Sequence, residues 1–298
     1  MTPTTPGAPD LPPTVRRVDG PGGMPVLDVD APGGSARIHR QGAQVMDWRP
    51  AGGAPVLWAS REAVYRPGVA IRGGVPVCLP WFAAPADGVG PAHGIARTRD
   101  WALTEIGEAD DAVNLALELR YDGTGEPAWP YPLRARLGVS VGSRLGLALE
   151  VINTGEQAVV VQAALHTYLA VGDVRQVRVR GLEGCGYVDK VAGGERRPAS
   201  GAELRVAGEV DRVYDQPGTV TVADPSAGRT IVVESRHSTH AVVWNPWIER
   251  AAALADMADD EWPSMLCVET ALGLAGGLTL EPGESLTMDA GIAVRPLA

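Results

Sequence analysis

In 298 residues the chain has one lysine, Lys190, and one phenylalanine, Phe82. With a single lysine and no Gly-Lys-Ser/Thr sequence, a phosphate-cradling P-loop is excluded. Schiff-base chemistry would have only Lys190 to use. Basic residues are outnumbered, 26 against 36, for a formal net charge of −10. That balance gives no basic surface for nucleic acid or anionic lipid. Cysteine is scarce: Cys78, Cys185 and Cys267 are odd in number, far apart, and form no Cys-x-x-Cys pair. Neither a zinc knuckle nor a disulfide framework is indicated, and the pattern fits a reducing compartment. No run of about 18 apolar residues exists, so no membrane-spanning helix is expected. The N-terminus lacks a charged region followed by an apolar run, so no signal peptide is expected either. These readings point to the cytoplasm.

What is present is hydrophobic content of 45%, enough for a full core, with 37 glycines and 25 prolines, about a fifth of the chain. That composition implies many turns without low complexity. Prolines 3, 6, 9, 12, 13 and 21 crowd residues 1–24, which read as a flexible tail with no function of its own. Beyond it the dominant signal has period two. Val113, Leu115, Leu117, Leu119 and Tyr121 alternate with polar positions. Leu137, Val139 and Val141, the turn Gly142-Ser143, and Leu145, Leu147, Leu149 and Val151 read as a hairpin. The segment from Leu278 through Glu281-Pro282-Gly283-Glu284 to Ile292 reads the same way. Only residues 248–258 look helical. The absence of long amphipathic helices argues against a βαβ nucleotide-binding architecture. The expected fold is a large antiparallel all-β protein, with residues 25–298 as a single domain and no internal repeat. A chain of this length is compatible with one all-β domain.

Five histidines are available. His237 and His240 are three apart, which in a strand places them on opposite faces and makes a metal pair unfavourable. A solvated surface role is the expectation for both, and a polar edge position for His39. His166 ends a run of alternating small and apolar residues. There Gln162, Ala164, His166 and Tyr168 share one face, and that face becomes polar and aromatic. A packing role and a role in a cleft are both open to it. Glu269 lies within Ser264–Thr270, a segment apolar enough that a buried carboxylate would need partners and would be a stronger base. An edge charge facing water is the alternative.

Two loops are chemically distinctive. Ile71–Phe82 combines Arg72, two glycines and two prolines with Trp81-Phe82. Ala92–Trp101 follows with His93, Arg97 and Arg99. Aromatic faces suit the apolar side of a sugar ring as well as a core. Arginine beside glycine suits an anion, although each arginine could instead pair with a carboxylate such as Asp87 or Asp100.

The motifs Arg-Gly-Gly-x-Pro at Arg72, Pro80-Trp81-Phe82 and His93-Gly94-x-Ala96-Arg97 resemble those of the hexose-6-phosphate mutarotases, a branch of the aldose 1-epimerase family. The resemblance continues through Leu165-His166-Thr167-Tyr168, Gly172-Asp173-Val174, Tyr187-Val188-Asp189-Lys190 and Asp211-Arg212-Val213-Tyr214. It closes with Val243–Glu249 and Cys267-Val268-Glu269, in order from about residue 35 to the C-terminus. It implies an antiparallel β-supersandwich, no cofactor and no metal, a small sugar phosphate as partner, and a monomer. It also implies His166 as general acid and Glu269 as general base. His93 and Asp211 would bind the sugar, and Arg72 and Arg97 the phosphate. Ala92, Ile95 and Leu169-Ala170 depart from the family's usual Gln, Phe and Phe-Arg, which bears on substrate contacts more than on chemistry. The implied reaction is interconversion of hexose 6-phosphate anomers. Two rivals are a non-catalytic sugar-phosphate binder and a mutarotase for unphosphorylated aldoses.

Overall fold

A computed structural model of the chain describes residues 9–85, 88–215 and 218–297. The expected architecture is observed: the described residues form two eight-stranded sheets, a four-stranded and a two-stranded sheet, and one short α-helix, Trp247–Ala252. Every pairing between these strands is antiparallel.

The hairpin read from alternating leucines is present. Leu133–Val141 pairs with Leu145–Asn153, bringing Leu137 opposite Leu149. The inward residues Leu133, Ala135, Leu137, Val139 and Val141 are all buried, while those between them are half-exposed. One face is therefore packed and the other wet, the arrangement that period-two sequence encodes. Each inward leucine contributes roughly 1.5–3 kcal/mol by leaving water.

A different rule governs the strand Met265–Leu272. All eight of its residues are buried, Glu269 among them. This strand runs through the other large sheet, between His240–Asn245 on one side and the short strands Ala163–Leu165 and Tyr168–Ala170 on the other.

Three expectations need correction. Residues 1–24 are not wholly a tail, because Val15–Asp19 pairs along its length with Pro25–Ala31 and buries Val15. Residues 1–8 of that span lie outside the described residues. The C-terminal segment is not a hairpin. Leu278–Leu280 pairs with Val159–Val161, whereas Ser285–Pro296 lies between Leu145–Asn153 and Arg229–Arg236. The turn at Glu281–Glu284 thus carries the chain from one sheet to another. The helix ends at Ala252, short of the expected 258.

Candidate active site

The site is assembled across one face of the sheet that holds Met265–Leu272. Asp211 stands opposite Trp244, Trp244 opposite Cys267, and Cys267 opposite Tyr168. Lys190 extends the row at its other end, its amide donating to the Asp211 carbonyl at 2.8 Å. Side chains opposed in an antiparallel ladder share a face, and so do those two apart on one strand. Glu269, two residues beyond Cys267, therefore projects on the same side as Asp211 and Trp244.

His166 reaches Glu269 through register. Leu165 pairs with Thr270 and Tyr168 with Cys267, so the same register continued between them sets His166 opposite Glu269. The ladder is interrupted there: the His166 amide donates to the Pro76 carbonyl at 2.9 Å. The side chains still meet, with Nε2 of His166 3.3 Å from Oε1 of Glu269, both groups buried. The ring of Tyr168 stacks on His166, centroids 4.7 Å apart and planes at 17°.

The loops read as distinctive converge on this pair. His93 adopts a left-handed backbone, φ 62°. Its Nδ1 accepts from the Ala83 amide at 3.3 Å, which leaves the proton of a neutral ring on Nε2. Its ring meets those of Phe82 and His166 nearly at right angles, with centroids 4.8 Å and 5.3 Å apart. Arg72 donates to the Tyr168 hydroxyl at 3.1 Å and pairs with Asp256 at 2.8 Å. Arg97 donates to the Ala92 carbonyl at 2.7 Å. Among the described residues no carboxylate lies within ion-pair distance of it, and its Nε is buried without a partner. Asp100, one suggested alternative partner, pairs with Arg40 instead, and Asp87 lies outside the described residues.

Electrostatics separate the groups by environment. Burial, followed by the nearby cations Arg97, Lys190 and Arg72, pushes His93 down to about 3. Burial pushes His166 well below the usual histidine range, with His93, Arg97 and Arg72 adding to the effect. Burial pushes Glu269 well above the carboxylate range; Asp211 adds to this and Lys190 opposes it. Nδ1 of His166 and Oε2 of Glu269 are buried without hydrogen-bond partners among the described residues. Buried polar atoms are rarely left so, and two adjacent ones point to a polar guest.

All six residues singled out in the sequence, Arg72, His93, Arg97, His166, Asp211 and Glu269, thus belong to one region. No site role was assigned from the sequence to Tyr168, Asp256 or Lys190. Tyr168 was legible as the residue two places after His166 on one strand face. Asp256 gives no signal, since a loop residue 184 positions from Arg72 meets it only through the fold. The other histidines depart from expectation in part. His237 is exposed and bonds Asp289 at 2.8 Å, but His39 and His240 are buried. Among the described residues no group of three or more His, Cys, Asp or Glu could hold a metal.

A cleft of about 840 Å³ opens elsewhere, along Arg136, Gly138, Arg144 and Gly146 of the other large sheet. Arg136 and Arg144 there pair with Glu105 and Glu234, and among the described residues no buried side-chain polar atom of its lining is left without a partner, unlike those of His166 and Glu269.

Comparison with known proteins gives the family and the fold. Residues 25–292 match the aldose 1-epimerase family. A protein of Escherichia coli K12, provisionally named glucose-6-phosphate 1-epimerase, is 37% identical over 249 residues, 83% of each chain. The crystal structure of a provisionally assigned mutarotase from Salmonella typhimurium superposes with a TM-score of 0.88 at 31% identity, covering 96% of this chain and 95% of that one. A galactose mutarotase-like protein from Clostridium acetobutylicum shares the fold, with a TM-score of 0.73 at 14% identity over 95% and 98% of the chains.

Proposed function

The chain belongs to the aldose 1-epimerase family, and from that premise we propose that it interconverts the α and β anomers of a hexose 6-phosphate, with glucose 6-phosphate as the leading substrate. It is an isomerase; the phosphorylated substrate and the roles below are the proposal. The observation that carries the roles is the 3.3 Å approach of His166 to Glu269.

In a cyclic hemiacetal the anomeric hydroxyl and the ring oxygen are bonded to the same carbon. An acid and a base that nearly touch are therefore spaced to serve both atoms at once. Glu269 takes the proton of the anomeric hydroxyl, and His166 gives one to the ring oxygen. The bond from C1 to the ring oxygen breaks and C1 becomes an aldehyde. Rotation about C1–C2 presents the other carbonyl face, and the reverse transfers close the ring.

Burial disfavours charge on either group, so the resting pair holds one proton on the carboxyl. Shifting it across the short gap to Nε2 produces both the base and the acid, and a bound sugar that hydrogen-bonds each favours that shift. Positioned proton transfer of this kind contributes roughly 10²- to 10⁴-fold per group. His93, a neutral Nε2–H donor, and Asp211, an acceptor, orient hydroxyls. Arg97 is the better of the two arginines for the phosphate, because among the described residues no carboxylate neutralises it. Arg72 already has Asp256, and its contact with Tyr168 gives it a bracing role as well.

The reading is tested by anomer exchange on glucose 6-phosphate with wild type and Glu269→Gln. The variant should lose roughly 10²-fold or more in kcat while still binding substrate. Full activity in it would remove Glu269 from the role.

A further inference from the structure

Lys190 is the only lysine of the chain, and it lies at the edge of this site. Its backbone continues the ladder opposite Asp211. Its ammonium sits 3.7 Å from the Asp211 carboxylate and 4.9 Å above the Phe82 ring. Phe82 is fixed in turn, its amide donating to the Gln162 side chain at 3.0 Å and its ring in a T-shaped contact with His93. The carboxylate and the aromatic face together hold a flexible side chain in one place.

We propose that Lys190 is a positioning residue for the anomerisation chemistry: it clamps and neutralises Asp211, so that Glu269 works beside a neutral pair and not beside a second negative charge. This rests on Glu269 being the base.

The groups that face Glu269 leave the assignment well defined. His166 is its direct partner. Tyr168, Cys78 and Cys267 also surround it, and burial raises each of them, so all three are uncharged at neutral pH. The charges acting on Glu269 are then Asp211, which hinders its ionisation, and Lys190, which assists it. Asp211 is itself raised by burial and countered first by Lys190; Asp189 and Arg250 act on it more weakly. Asp189 is already bonded to Arg212. Removing the ammonium leaves Asp211 as an uncompensated charge near the base, and Glu269 then gives up its proton at higher pH.

The test is the pH dependence of kcat/KM for anomer exchange, which reports ionisations of the free enzyme. Lys190→Met should move the alkaline limb, where the pair loses its single proton, upward by on the order of one pH unit, and Lys190→Arg should leave it near the wild-type position. Asp211→Asn should move it downward. The double variant Lys190→Met/Asp211→Asn should return it toward wild type, whatever its rate at the plateau. The two single variants shift in opposite directions, so poor folding of one leaves the other decisive.

An unmoved limb in Lys190→Met and Asp211→Asn overturns the proposal. If Lys190→Met also raises KM for glucose 6-phosphate alone, the ammonium is a phosphate ligand. If it lowers rates on glucose 6-phosphate and glucose equally with the limb unmoved, it is a structural prop. Failure of the underlying reading is recognised separately: Glu269→Gln would then retain both activity and the limb.

Discussion

The aromatic ring of Tyr168 lies flat against the imidazole of His166, 4.7 Å between centroids, while its hydroxyl accepts from Arg72. His166 is thereby fixed by a neighbour two residues away, and that neighbour is held by an arginine from a loop. Tyr168→Phe keeps the stack and loses only the bond to Arg72. Tyr168→Leu loses both. An aromatic contact worth about 0.5–1.5 kcal/mol corresponds to roughly a 2- to 12-fold loss in kcat for the leucine variant, with a smaller loss for phenylalanine. Anomer-exchange rates for the two variants check this. Equal losses would show that the ring does not position His166.

Arg97 and Arg72 should differ. Arg97→Ala removes a guanidinium with no carboxylate partner among the described residues, and should raise KM for glucose 6-phosphate by the equivalent of about 1.5–3 kcal/mol with little change on free glucose. Arg72→Ala removes a group that pairs with Asp256 and braces Tyr168, so it should lower kcat on both sugars. Steady-state kinetics on the two substrates decide the matter. A phosphate-selective effect confined to Arg72 would reverse the assignment.

Much of the fold was legible because it depends on alternation. The leucines from 133 to 151 could only bury one face as paired strands. The buried pair was legible in kind but not in contact: Glu269 stood out as a carboxylate in an apolar strand, and His166 as the polar end of another. Their meeting depends on a register shared by Leu165–Thr270 and Tyr168–Cys267, and one sequence does not reveal which strands pair. The C-terminal segment misled for the same reason. Its pattern is a hairpin's, but the partners of its two strands lie in different sheets. At the N-terminus, proline density concealed the strand Val15–Asp19, which starts just after Pro12 and Pro13.

Acid should destabilise the protein through its buried histidines. Burial holds His39 down to about 4 and His93 to about 3, against 6.5 for the exposed side chain. The unfolded chain binds these protons near pH 6.5 and the folded chain does not. Their contribution is therefore complete above that pH and is lost as pH falls from about 6.5 to about 4 for His39, and on to about 3 for His93. Thermal unfolding at a series of pH values should show Tm falling through this range. In His39→Gln the fall should be shallower. An unchanged slope would mean that His39 is protonated in the folded state.

The central claim is that the His166–Glu269 pair opens and closes the ring of a phosphorylated hexose. Exchange NMR at anomeric equilibrium measures this directly, following magnetisation transfer between the α and β C1 protons of glucose 6-phosphate with free glucose as the control. Wild-type protein should accelerate exchange of glucose 6-phosphate far more than that of glucose, and His166→Ala and Glu269→Gln should each return the rate close to the spontaneous one. Faster exchange of glucose than of glucose 6-phosphate, or undiminished exchange in either variant, would contradict the account.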